Sequence, residues 1–222
     1  MKENISQGIA FILEGETEKE FYFALLNFYC EKYHNCVLKA TRDNKTGEIF
    51  YILTTPTDIL IIKMFVVGTI SQLTNSGTWF ENNCHKQYPS LKWIVFLCYD
   101  TDAYMEPITK FYEGDWKELR KQLSKGRASE IIDLAAQADI EDIMLLDADS
   151  IFKYLNIAPC GIPNGAKGKR KMKKLFRSVG RGIAYHEGVR AKKLIEALNF
   201  EVIIEKAPLN FSKIEQECFG GC

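Results

Sequence analysis

Seven consecutive residues, Trp93-Ile94-Val95-Phe96-Leu97-Cys98-Tyr99, are apolar or aromatic with no polar alternation, and the run stops at Asp100-Thr101-Asp102. A strand of that kind is covered on both faces, as in the middle of a parallel sheet. Gly8 to Leu13 is a second short apolar run, and it ends at Glu14-Gly15-Glu16-Thr17-Glu18. Two buried strands that both exit into acids constrain the fold more than any compositional figure does. In an open α/β sheet, ligands collect outside the carboxyl ends of the strands.

The rest of the chain supplies helices to cover such a sheet. Thr17 and Glu20 stand three apart ahead of Phe21, Leu25, Phe28 and Tyr29, a capping-box pattern opening an amphipathic helix that ends near Lys32. Val37 to Ala40 reads as a strand and Thr41 to Glu48 as a polar loop. Thr57 to Leu73 reads as helical, although its many Ile and Val residues also suit strands. Helices are expected at Asp115–Leu123, Asp142–Leu155, Lys169–Val179, Val189–Leu198 and after Asn210. Further strands are expected at Ala128–Ala136 and Phe200–Ile204. Alternating strands and helices give an α/β fold with a mostly parallel central sheet. No internal repeat or low-complexity linker divides residues 1–222, so one domain is expected, with a basic extension over 161–222 packed on it.

Composition narrows the class. With 46% hydrophobic and 12% aromatic residues, the 222-residue chain is neither disordered nor fibrous. The seven cysteines are scattered without a C-x-x-C pair, which fits free thiols better than a disulfide framework or a structural zinc. No secretory signal pattern and no uninterrupted apolar run of membrane-spanning length is present; Lys63 breaks the nearest one. A cytoplasmic protein without a membrane partner is expected.

Net charge is zero, but the charges are segregated. Residues 161–193 carry eleven Lys/Arg against the single acid Glu187, while residues 130–149 carry seven acids and no base. A basic block of this kind can bind phosphate backbones. Glu14 and Asp100 converge if their strands are neighbours, and Asp100 and Asp102 share a face if the chain stays extended. Several carboxylates in one cleft repel each other unless a cation compensates, and oxygen-only donors favour Mg²⁺ or Mn²⁺.

Phe11-Ile12-Leu13-Glu14-Gly15-Glu16-Thr17-Glu18, with Trp93 to Asp102 behind it, resembles the Toprim signature, in which a strand-end glutamate is followed by a D-x-D at a later strand end. It is most similar in look to the OLD and RloB-like defence nucleases, and Asp139 to Leu146 resembles the acidic segment these place after the D-x-D. The interval between the two motifs is longer than in a minimal Toprim core, so an insertion is expected. The resemblance implies a Mg²⁺- or Mn²⁺-dependent endonuclease acting on DNA or RNA in anti-phage defence. The alternative is an inactive Toprim-like sensor or regulatory subunit that binds a nucleic acid or a protein.

On that reading Glu14, Asp100 and Asp102 hold one metal, and Glu18 with Glu141 helps to hold a second. One of Lys167, Lys169 and Lys171 stabilises developing negative charge. Lys169, Arg170, Lys171, Lys173, Lys174, Arg177 and Arg181 position the nucleic-acid backbone. No P-loop is present, so an ATPase or other regulatory partner comes from another chain, and a homodimer is expected from the prevalence of symmetric oligomers. His34, His85 and His186 are read mainly as structural. Tyr99, Tyr104 and Tyr185 are weak candidates for base stacking.

Overall fold

The computed structural model describes residues 5–44, 46–68, 70–101, 116–136, 138–180, 182–220 and 222. Asp102, Tyr104 and Arg181 fall outside them. Among the described residues six strands form one sheet: β1 (Gln7–Leu13), β2 (Val37–Arg42), β3 (Ile49–Thr54), β4 (Ile59–Val66), β5 (Trp93–Asp100) and β6 (Ala128–Ala136). Their order is β2-β3-β4-β1-β5-β6. β1 lies parallel to both β4 and β5, and β6 is parallel to β5, while β2 and β3 extend one edge as an antiparallel pair. The expected mostly parallel α/β sheet is present, with β2, β3 and β4 lying between the two acidic motifs.

The strand pleat sorts side chains into two cores. Ile9, Phe11 and Leu13 of β1 face one layer together with Ile94, Phe96 and Cys98 of β5. Ala10 and Ile12 face the other with Trp93, Val95, Leu97 and Tyr99. Each fully buried large apolar side chain contributes roughly 1.5–3 kcal/mol, so the unbroken apolar runs are what this double coverage requires.

The first layer is covered by α1 (Glu16–Lys32), and the second by α2 (Ser76–Phe80) and α3 (Lys117–Lys125). The chain then forms α4 (Ile140–Met144), α5 (Ala148–Leu155), α6 (Gly168–Val179), α7 (Lys192–Glu196), α8 (Phe200–Lys206) and α9 (Ser212–Phe219), all contributing to the first core. Among the described residues no helix is long and apolar enough to cross a membrane.

Three local expectations are corrected. Within the stretch read as helical over Thr57–Leu73, Ile59–Val66 is β4, because Ile59, Ile61, Ile62 and Val66 are β-branched and Ile61 and Ile62 pair with β3 on one side and β1 on the other. Phe200–Ile204 is helical, since Asn199 caps it by accepting a hydrogen bond from the Glu201 N–H at 3.0 Å. Thr17 does not cap α1: Gly15 holds the cap position, and Thr17 Oγ1 instead accepts from the Gly188 N–H at 2.8 Å.

Lys63, the residue that breaks the apolar run, is fully buried on β4. Its Nζ donates to Glu48 Oε2 at 2.9 Å and Gln87 Oε1 at 2.8 Å, and it lies 5.6 and 5.5 Å from the Phe50 and Tyr88 ring centres. Truncating one partner of a buried ion pair leaves the other uncompensated. Lys63→Ala should therefore cost about 3 kcal/mol or more in urea unfolding, and Lys63→Met, which also leaves Glu48 unpaired but keeps the stem against the rings, should cost less only by the packing it retains.

Candidate functional site

The chain leaves β1 toward β2 and β3, returns through β4, and then crosses to β5 on the other side of β1. The carboxyl ends of β1 and β5 thus flank a topological switch point, where clefts form in open sheets. Glu14 is anchored there on both sides. Its N–H donates to Cys98 O at 3.1 Å, its carbonyl accepts from the Gly68 N–H at 2.9 Å, and its Oε2 accepts from the Asp100 N–H at 3.1 Å. The expected convergence of Glu14 and Asp100 across 86 positions is present.

A cleft of about 510 Å³ opens over these ends, lined by Glu14, Glu18, Asp100, Asp139 and Glu141 with Lys167 and Lys169. Glu18 is buried in the first turn of α1, folded back over Gly15 so closely that a Cβ there would lie 2.8 Å from Glu18 Oε2. Asp139 caps α4: its Oδ1 accepts from the Asp142 N–H at 3.0 Å and its Oδ2 from the Lys169 N–H at 3.1 Å. Glu141 Oε1 accepts from the Tyr185 hydroxyl at 2.9 Å. Asp100 Oδ1 is enclosed and has no hydrogen-bond partner among the described residues.

Burial sets the protonation of this group, because a low-dielectric surround disfavours the charged form. Glu18 is pushed up to about 8, first by burial; its own backbone N–H opposes this, and the charges of Glu14, Glu141 and Asp139 add to it. Asp100 is raised well above the usual carboxylate range by burial and then by Glu18 and Glu14. Glu141 rises to about 7, by burial and then by Asp139, against the Tyr185 hydrogen bond. Asp139 is also raised by burial, with the Lys169 and Asp142 N–H groups opposing.

Part of the basic block is paired within the fold, while Arg170, Lys174, Arg177, Arg190, Lys192 and Lys193 are exposed. Lys169 and Lys173 both pair with Glu187, the latter at 2.8 Å, and Lys171 pairs with Asp142 at 2.5 Å. Lys174 Nζ donates to the Asn164 carbonyl at 2.6 Å. Lys167 and Lys169 reach the cleft, whereas Lys171 does not line it. Arg170 and Arg177 lie on α6 outside the cleft.

Two residues that the sequence reading gave no role complete the site. Asp139 joins α4 to α6, and Glu187 gathers two lysines; the isolated acid in a basic tract was the one available signal for the latter. Tyr185, a weak stacking candidate, proves to be a donor to Glu141.

The expected Mg²⁺ or Mn²⁺ is corrected. Among the described residues no group of three or more His, Cys, Asp or Glu side chains is disposed to hold a metal ion. Instead, Glu14 Oε2, both oxygens of Asp139 and Glu141 Oε1 accept hydrogen bonds from protein donors.

No family model matches the chain, and no curated protein does. Among solved structures, a futalosine hydrolase mutant of Helicobacter pylori is similar at 8% identity, with 97% of this chain and 100% of that chain covered and a TM-score of 0.34. A Campylobacter jejuni 5'-methylthioadenosine/S-adenosyl homocysteine nucleosidase is similar at 14% identity, covering 90% and 93%, with a TM-score of 0.25. The Toprim resemblance, the phosphodiesterase and sensor readings and the defence setting are withdrawn: no family model matches, and the similar structures found are a futalosine hydrolase and a nucleosidase, not Toprim nucleases. At such TM-scores the neighbours lend this chain no activity of their own.

Two outcomes test the site's construction. A carboxyl whose folded pKa lies above its unfolded value costs nothing below the unfolded value and destabilises progressively as pH rises to the folded one. With Glu18 moved from 4.5 to about 8 and Glu141 from 4.5 to about 7, the thermal midpoint should fall between about pH 5 and 8, and Glu18→Gln should flatten that decline. Separately, a Cβ on Gly168 would lie 2.1 Å from the Asp142 nitrogen and 2.5 Å from Asp139 Oδ1. Gly168→Ala should therefore loosen α6 from α4, read as faster amide exchange over 168–179.

Proposed function

We propose that the carboxyl-lined cleft is the active site of an enzyme that uses general acid–base catalysis on a small polar molecule, with hydrolysis as the reaction class its donor set serves best. The observation that carries this reading is Glu18, a buried carboxyl moved to about 8 at the wall of a cleft at the switch point. A carboxyl that keeps its proton near neutral pH can deliver it to a leaving group. Glu14, oriented by the Asp100 N–H, is the acceptor.

Glu14 takes a proton from the attacking water, the water oxygen bonds to the electrophilic atom, and Glu18 gives its proton to the departing heteroatom as that bond breaks. The proton then returns from Glu14 to Glu18 through solvent in the open cleft. Asp100 Oδ1, enclosed and without a partner among the described residues, accepts a hydroxyl or ammonium donor of the substrate. Lys169, steadied by Glu187, and Lys167 favour negative charge at the mouth.

A panel of nitrophenyl esters, amides and glycosides tests the reading with purified protein. At least one member should be turned over, with the rate falling on the alkaline side as Glu18 loses its proton. Glu18→Gln and Glu14→Gln should each lower that rate roughly 10²–10⁴-fold with the circular dichroism spectrum unchanged. Turnover by Glu18→Gln at the wild-type rate, or no turnover of any member, would contradict it.

A further inference from the structure

Four of the seven cysteines meet at one corner of the fold, remote from the carboxyl cleft. Cys30 lies on α1, Cys36 directly precedes β2, Cys218 lies on α9 and Cys222 follows it. Cys36 Sγ and Cys222 Sγ are 3.0 Å apart although 186 positions separate them in sequence. We propose that Cys36 and Cys222 are an oxidative modification site, at which a hydroperoxide converts two thiols into a disulfide that pins the segment after α9 to the start of β2.

The two thiols are unequal in a way that orders the chemistry. Cys222 is exposed and meets the oxidant first, while Cys36 is buried beside it. The Cys222 thiolate attacks a peroxide oxygen, the O–O bond breaks, and Cys222 becomes a sulfenic acid with release of water, or of an alcohol from an organic hydroperoxide. The Cys36 sulfur then attacks the sulfenic sulfur, forming the S–S bond and expelling the oxygen as water with the Cys36 proton. Two electrons pass from sulfur to peroxide, and a dithiol reductant reverses the change.

The surroundings favour this pair. The Cys222 N–H donates to Phe219 O at 2.9 Å, which holds the thiol over its partner. Phe219 stacks against Tyr33 at 5.8 Å, and Glu215 accepts from the Tyr33 hydroxyl and from Lys32 Nζ, both at 2.6 Å, so α9 is already seated on α1. The sulfurs need approach by only about 1 Å to reach bonding distance. Burial raises the Cys36 thiol to about 12, with the Cys222 contact adding to it, so Cys36 awaits an activated partner rather than reacting alone.

The test uses the full chain treated with hydrogen peroxide, free thiols then blocked, and non-reducing peptide mapping with fragmentation that separates Cys222 from Cys218. The expected product is a crosslink between Cys36 and Cys222, lost with dithiothreitol. It should raise the thermal midpoint by roughly 5–15 °C. Cys222→Ser, at an exposed position, should fold normally and lose both crosslink and shift. A Cys222 that stops at sulfinic acid, a crosslink through Cys30 or Cys218 instead, or Cys36 and Cys222 both fully blocked as free thiols would overturn the proposal. Exposed Cys160 serves as the internal measure of nonspecific oxidation.

Discussion

The hydrogen bond from the Asp100 N–H to Glu14 Oε2, 3.1 Å long, joins the ends of two neighbouring parallel strands through a side chain rather than through the sheet ladder. Its existence depends on the register that sets Leu13 beside Cys98. That register in turn depends on the unbroken apolar runs, which leave neither face of β1 or β5 free to turn outward. With Glu14 fixed, Gly15 takes the cap position, α1 begins at Glu16, and Glu18 falls in its buried first turn. The carboxyl cluster is thus a consequence of how the strands pair.

Burying several carboxyls together is costly, and the fold relieves the cost in two ways. Protein N–H and O–H groups supply donors: the Asp142 and Lys169 amides to Asp139, and the Tyr185 hydroxyl to Glu141. Proton uptake relieves the remainder, which is why Glu18 stands near 8. The lysines of α6 act mainly on the acids of neighbouring segments. Lys171 and the Gly168 N–H hold Asp142 of the acidic block, while Lys169 and Lys173 hold Glu187 within the basic block, and together these contacts seat α6 beside the cleft.

The features legible in sequence were those with one dominant cause. β1 and β5 were readable because continuous apolar residues between polar boundaries have few other uses, and Glu14 and Asp100 were readable as strand ends. Thr57–Leu73 was misread because Ile and Val satisfy either period until pairing partners are known. Phe200–Ile204 was misread because the apolar content outweighed the Asn199 cap. The roles of Asp139, Glu187 and Tyr185 depend on contacts between distant segments, which no local pattern encodes. The Toprim resemblance rested on two short acidic motifs, and short motifs fix strand ends more securely than they fix chemistry.

The central claim is that Glu18 keeps its proton near neutral pH because it is buried among other carboxyls. Carbon-13 NMR of protein labelled at the glutamate side-chain carboxyl tests it directly, with the Glu18 signal assigned by its disappearance in Glu18→Gln. Followed from about pH 4 to about pH 10, that signal should titrate with a midpoint near 8, and the midpoint should move downward in Glu14→Gln as a neighbouring charge is removed. A Glu18 signal that titrates near the ordinary value of 4.5 in the folded protein, unmoved by Glu14→Gln, would contradict the account.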